Sequence, residues 1–261
     1  MDDSASENTK SGRERNFMAK GERSVATDTL VKKIMDDIQQ LPTGSGTMQL
    51  PPEPELMATY QVTRYTLRQA LKNLSQMGYT FQAHGIGTFV RPRMNNHAIS
   101  LQNPVGMTDE MARQERHLTT KHATIQATTV AEAAFLPIGT QLDSNTPLWS
   151  VRRFRYADDK PFIFEQSYYL RNIVNQIPET ALYGSLFNFV EKNDALKVGF
   201  QDTIIEAGSM SQEMAEFFDM AEKSPTLSVR DDSYLSSGQL FAFSKLGYDA
   251  RDTKLFLFKK I

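Results

Sequence analysis

Cysteine is absent from the 261 residues, which excludes disulfides and thiolate metal sites and fits a reducing compartment. No apolar run is long enough to cross a bilayer, and the N-terminus has no secretory hydrophobic stretch, so a cytoplasmic protein is expected. The common catalytic motifs are missing too: there is no P-loop, GxSxG, GxGxxG or HExxH, and the four histidines, His84, His97, His117 and His122, do not cluster with carboxylates. No cofactor and no metal are expected. Acid is unevenly absent. From Gln61 to Thr108 there is no Asp or Glu, while Arg64, Arg68, Lys72, Arg91 and Arg93 all fall inside that stretch of a chain with formal net charge -2. A cationic segment on a near-neutral chain is the footprint of a surface that neutralises phosphates.

What is there begins with residues 50-93. Glu55 to Tyr60 forms a short helix, Gln61-Val62 a turn, and Thr63 a cap for a second helix whose Leu67, Ala70, Leu71 and Leu74 recur at helical spacing. The other face of that helix carries Arg64, Tyr65, Thr66, Arg68 and Gln69 in its first two turns, where a recognition helix meets bases and phosphates. Two β-prone runs, Tyr79 to Gln82 and Thr88 to Val90, flank Ala83-His84-Gly85-Ile86-Gly87, a glycine-bearing tip that lets backbone approach a phosphate or a minor groove. The spacing predicts a winged helix-turn-helix over 24-93, with a first helix from Ser24 to Gln40 and a loop from Leu41 to Met48.

Residues 1-23 are polar and poor in branched apolar side chains, so a disordered arm is expected. Its Arg13, Arg15, Lys20 and Arg23 are offset by Asp2, Asp3, Glu7, Glu14 and Glu22, which favours a passive tail over a DNA contact. A linker is expected over 94-104 and a second domain over 105-261. There the reading is a helix at Met107 to His117, a strand at Thr124 to Ala131, a short helix at Glu132 to Leu136, and a hairpin of Leu148 to Tyr156 with Phe162 to Leu170. A helix at Ser185 to Lys192, a strand at Val198 to Ala207 and a helix at Gln212 to Met220 follow. Thr226 to Leu235 and Leu240 to Tyr248 form a second hairpin, and Leu255 to Phe258 closes the chain. This is α+β with a mostly antiparallel sheet.

Strand side chains alternate, so Arg153 and Arg155 project from one face about 7 Å apart. Two guanidinium forks on one face suit a phosphate or carboxylate, with Glu165 on the partner strand. A plain cross-strand salt bridge on an exposed sheet face fits the same residues, and the pattern alone leaves both open.

The motifs Leu50-Pro51, Thr63-Arg64-Tyr65-Thr66-Leu67-Arg68 and Gly85-Ile86-Gly87-Thr88-Phe89-Val90 resemble the DNA-binding domain of GntR-type bacterial repressors. That resemblance implies operator contacts from Thr63, Arg64, Tyr65, Thr66, Arg68, His84, Gly85 and Gly87. The family usually has an operator-contacting arginine where Pro54 stands. Residues from about 97 to 261 are similar to the UTRA effector-binding domain of the HutC subfamily, which shares its fold with chorismate lyase. The marks are Arg152 to Pro161, Phe164-Glu165-Gln166-Ser167, Tyr183-Gly184-Ser185-Leu186 and the Gly238 hairpin. The resemblance implies effector contacts from Arg153, Arg155 and Glu165, phosphate held by backbone amides at Gly106-Met107-Thr108, and a place for Tyr248. A second glutamate found in relatives is replaced here by Ala242. A homodimeric repressor that binds double-stranded operator DNA and a small anionic effector, such as the sugar phosphates of the family, is therefore expected. The alternative is a chorismate-lyase-like enzyme with an accessory winged domain.

Overall fold

The computed structural model describes residues 27, 29-38, 48-91, 98-101, 106-113, 115-193 and 195-259. The arm expected over 1-23, and all of the expected linker except residues 98-101, fall outside them. The chain divides near Asn96 into two compact units, and the residues from Phe256 onward group with the first.

In the first unit α1 (residues 29-38) turns Leu30, Val31, Ile34, Met35 and Ile38 inward, as one apolar stripe requires. β1 (Met48–Gln49) comes next. α2 (Glu53–Tyr60) starts behind Pro51-Pro52 and holds Pro54 in its first turn, where a missing N–H costs nothing because those amides have no helical partner. It ends at Gln61, in the left-handed region at φ 53°. Thr63 then caps α3 (Arg64–Gln76), its hydroxyl oxygen accepting from the Thr66 N–H at 3.2 Å. Leu67, Ala70, Leu71 and Leu74 bury against α1, Leu56 and Val90, and each large apolar side chain so placed stabilises by roughly 1.5–3 kcal/mol. β2 (Thr80–Ala83) and β3 (Gly87–Val90) make the wing hairpin. β1 joins β3 as a third strand, with Gln49 opposite Phe89. The sequence placed Met48 in a loop, because two residues are too few to show alternation and only pairing with β3 makes them a strand. Phe258 also packs in this unit, its ring centroid 4.5 Å from the Arg91 guanidinium carbon.

β4 (Ile99–Ser100) lies inside the segment expected to be linker. α4 (Gly106–Arg113) stops short of the expected His117. Glu115 breaks it in the left-handed region at φ 58°, and β5 (Leu118–Thr129) begins before the expected Thr124. In place of a helix to Leu136 there is one 3-10 turn, Val130–Glu132. Its Glu132 carboxylate accepts from the Thr128 hydroxyl at 2.8 Å and the Thr129 N–H at 3.2 Å. β6 (Pro147–Ala157) and β7 (Lys160–Leu170) follow, turning through Asp158 and Asp159, both at positive φ. α5 (Glu179–Leu182), too short for its period to be read, was not foreseen. Next come α6 (Leu186–Glu191), capped by Ser185, β8 (Val198–Ser209), α7 (Gln212–Phe218), capped by Ser211, β9 (Pro225–Leu235), β10 (Leu240–Asp249) and β11 (Leu255–Phe256), which pairs with β4.

Six strands form one antiparallel sheet in the order β5-β6-β7-β10-β9-β8, so the fold is the α+β architecture expected. Two-residue alternation divides it into two faces. One carries Val151, Tyr169 and Ala242 into a core with Leu182, Leu186 and Val190 of α5 and α6. The other packs Leu148, Tyr168 and Phe243 beside the 3-10 turn, and Phe164 against Met214 of α7. The strands β7, β10 and β9 are mostly buried. Whatever polar group they carry inward must find a partner there.

Candidate functional site

The first turn of α3 stands in solvent at Arg64, Tyr65 and Arg68. Thr66 does not. It is 8% exposed, and its hydroxyl lies 3.0 Å from that of Thr63. Of the expected operator-facing residues it is thus the one turned inward, and it serves the cap. The acid-free stretch meets an acid from outside itself: Glu53 of α2 receives the Arg68 Nε at 3.1 Å from both carboxylate oxygens and lies 4.0 Å from the Arg64 Nε. Sequence reasoning missed this pairing, because a charge census along the chain does not see across the turn between two helices. The pair is exposed and adds at most about 1 kcal/mol to the fold. Glu53→Gln is therefore expected to leave the melting temperature nearly unchanged while tightening the grip on a random duplex at low salt, where one less negative charge faces the phosphates. Fluorescence anisotropy checks this, and weaker random binding would mean that Glu53 chiefly places the arginines.

At the wing, His84, Gly85 and Ile86 are exposed. Gly85 has φ 75°, which disfavours any side chain. Gln49 reaches over from β1 and donates from Nε2 to the Ile86 carbonyl at 3.0 Å. A Cβ on Gly87, itself at φ 149°, would stand 2.5 Å from that same Nε2.

In the second unit Arg153 and Arg155 are each 5% exposed and Glu165 is 4% exposed, so this is no surface salt bridge. Register places Arg153 opposite Glu165. Arg153 Nη2 donates to both Glu165 oxygens at 2.7 Å, and Nη1 donates to the carbonyls of Gly184 at 2.9 Å and Leu182 at 3.4 Å. Ser167 Oγ donates to Glu165 Oε1 at 3.0 Å. Burial pushes the Glu165 carboxyl up, but the two arginine charges and these hydrogen bonds outweigh it and hold the group below the usual range.

The two arginines are not equivalent. Arg155 Nη1 is 3.6 Å from Glu165, beyond hydrogen-bond distance, and its Nη2 donates to Thr108 Oγ1 at 2.9 Å; its Nε, like that of Arg153, is buried with no partner among the described residues. Burial first, and the Arg153 charge second, push its pKa down to about 10. Among the described residues no carboxylate comes within hydrogen-bond distance of this cation. Gly106, Met107 and Thr108 form the first turn of α4, and the opening amides of a helix, having no partner within it, suit an anion. The structure thus brings Thr108 to Arg155. Tyr248 is 1% exposed on β10 and packs edge-on to Phe162 at 6.0 Å. Burial, then the Asp231 charge, raise its hydroxyl above the usual range, against the pull of Arg155. Asp231, not foreseen from sequence, lies on the same face, and burial pushes its carboxyl up to about 6.

Residues 114–253 match the model of the UTRA domain, and residues 26–90 match that of the bacterial regulatory proteins, gntR family. The chain is similar to an uncharacterized HTH-type transcriptional regulator, YydK, of Bacillus subtilis (strain 168), at 30% identity over 77% of this chain and 83% of that one. It is 25% identical to the HTH-type transcriptional repressor NagR of the same organism, over 77% of this chain and 81% of that one. With the mannosyl-D-glycerate transport/metabolism system repressor MngR of Escherichia coli (strain K12) it shares 24% identity over 80% of this chain and 85% of the other. The crystal structure of YydK superposes with a TM-score of 0.72 at 26% identity, covering 89% of this chain and 100% of that one.

Proposed function

Because the chain belongs to the gntR family of bacterial regulatory proteins and carries a UTRA domain behind its DNA-binding domain, we propose that it is a repressor released from operator DNA by a small anionic effector. That it is a transcriptional regulator and not an enzyme follows from its relatives, which are regulators. The observation that carries the effector half is Arg155, a buried guanidinium that reaches Thr108 in the first turn of α4 and, unlike Arg153, has no carboxylate at hydrogen-bond distance among the described residues. A phosphate or carboxylate supplies the negative charge and acceptors this group lacks. MngR is named as the repressor of a mannosyl-D-glycerate system, which supports a carbohydrate-related operon here.

The operator contacts we assign are Thr63, Arg64, Tyr65 and Arg68 on α3, with His84, Gly85 and Gly87 at the wing. One winged helix touches few bases, so a homodimer on a two-fold operator, with half-sites about one helical turn apart, is part of the proposal. Effector controls DNA only by binding one arrangement better than the other, with a coupling of about 1–3 kcal/mol. The test is a gel shift with the DNA upstream of the chain's own and adjacent genes, titrated with sugar phosphates and sugar acids. Release is expected with at least one, and none releasing it would remove the effector half. Arg64→Ala and Arg68→Ala should each weaken specific binding by about 1–3 kcal/mol if they grip bases in bidentate fashion. Unchanged affinity in both would take them out of the interface.

A further inference from the structure

Asp231 and Asp232 are neighbours on β9 and so face opposite sides of the sheet. Asp232 is buried and well used, its Oδ2 accepting from the N–H groups of Ile138 and Gly139 at 2.8 and 3.1 Å. Asp231 lies on the face of Arg153, Arg155 and Glu165, and among the described residues its one side-chain hydrogen bond comes from Thr203 Oγ1 at 2.6 Å. Register sets Ser244 opposite both Ser167 and Asp231, and Asp231 opposite Thr203. A row of three hydroxyls and one carboxylate therefore crosses β7, β10, β9 and β8. Glu165, in the adjacent row and two strand spacings away, about 10 Å, is already taken by Arg153. The groups that face Asp231 are Thr203 from β8, Glu165 from β7 and Tyr248 from β10, with Asp232 beside it on β9. None of these is a cation.

Building on the effector reading above, we propose that Asp231 is the specificity-determining residue of that site, accepting hydrogen bonds from hydroxyls of a polyhydroxy anion whose charged end lies on Arg155 and the first turn of α4. An ionised carboxylate only accepts, and Ser167 and Thr203, whose protons go to Glu165 and Asp231, offer lone pairs, while the Ser244 hydroxyl can both donate and accept. Together they match the mixed demand of neighbouring hydroxyls on a sugar or sugar acid. A second anionic group at this end would be repelled by Asp231. The negative charge of the effector therefore belongs at one end only.

Protonation supplies the discriminating readout. Burial, with Glu165 and Asp232 nearby, pushes the Asp231 carboxyl up to about 6. Hydroxyl donors favour its ionised form, so the advantage of a polyol is present above that pH and fades as pH falls through it. Phosphate esters have their own second ionisation near pH 6, and Asp231→Asn at each pH is the baseline that removes it.

The experiment is calorimetric titration of the full chain between pH 5 and 8 with inorganic phosphate, glucose 6-phosphate, fructose 6-phosphate, glucosamine 6-phosphate and gluconate. At pH 7.5 at least one hydroxylated anion should bind more tightly than inorganic phosphate, and Asp231→Asn should lose about 10–100-fold of that affinity while holding inorganic phosphate unchanged. Thr203→Val should move the pH midpoint upward, since its hydrogen bond favours the charged carboxylate. Because no cation pairs with its ionised form among the described residues, Asp231→Asn should melt at or above the wild-type temperature, which keeps a misfolded variant from imitating the result. An Asp231→Asn protein that keeps the polyol preference overturns the proposal, as does a wild type with none. A preference confined to glucosamine 6-phosphate replaces the hydroxyl assignment with an ammonium one and overturns it too. If no anion in the set binds the wild type, the effector reading itself fails; normal phosphate binding with an indifferent Asp231 removes only this inference.

Discussion

Arg153→Ala is expected to cost the second unit about 3–5 kcal/mol of stability, because it strands a buried carboxylate rather than merely deleting a bond. Glu165 would keep only the Ser167 hydroxyl and the more distant Arg155, while the carbonyls of Leu182 and Gly184 would lose their donor. Urea denaturation followed by Trp149 fluorescence checks it: the chain has one tryptophan, on the same strand and face as Arg153. The pH dependence has a defined sign. Folded Glu165 is held below its ordinary range, so the pair's contribution is present above the unfolded value of about 4.3 and is lost as pH falls through the lower folded value. The deficit of the variant should shrink in acid. A loss under about 1 kcal/mol at neutral pH would mean that the pair behaves as a solvated one, against its burial. The double variant Arg153→Met, Glu165→Leu, which removes both charges, should recover much of the loss.

Arg155→Ala should do the reverse. Its charge is held at a cost, as the downward push to about pKa 10 records, and its loss leaves the Arg153–Glu165 pair whole. Stability is expected to stay level or rise, while binding of the releasing anion weakens by about 2–5 kcal/mol. The effector would then no longer free the operator, although operator affinity without effector stays as it was. A gel shift with and without the anion, read beside a thermal melt, separates the two effects. An Arg155→Ala protein that still responds would place the anion elsewhere. If both results hold, two arginines two residues apart carry different burdens, one for the fold and one for the ligand.

Much of the winged unit was legible. Its signals are local: Thr63 before a 3.6-residue apolar stripe, and two glycines between β-prone runs. The β6–β7 hairpin was equally clear, since period-two alternation on both strands fixed which of Arg153, Arg155 and Glu165 share a face. The burial of that face was not legible, because the layer above it comes from α5 and α6, the first of them a single turn with no period to detect. Glu53 and Asp231 escaped for a related reason. Glu53 meets Arg68 only after the chain reverses at Gln61, and Asp231 gains its meaning from three strands that reach it from elsewhere in the sequence. The adjacent acids Asp231 and Asp232 did hold a usable signal: in a strand with a covered face, one of two consecutive acids points to it.

Gln49 changes the thermodynamics of the wing. A glycine-rich hairpin tip ordinarily samples many backbone states, and freezing each residue on a ligand costs about 1–2 kcal/mol of conformational entropy. Here the Gln49 amide occupies the space beside Gly87 and holds the Ile86 carbonyl, so the tip is already restricted before any duplex arrives. If the wing meets DNA as proposed, less of the free energy gained from phosphate and groove contacts is spent on ordering the loop, and more of it remains as affinity.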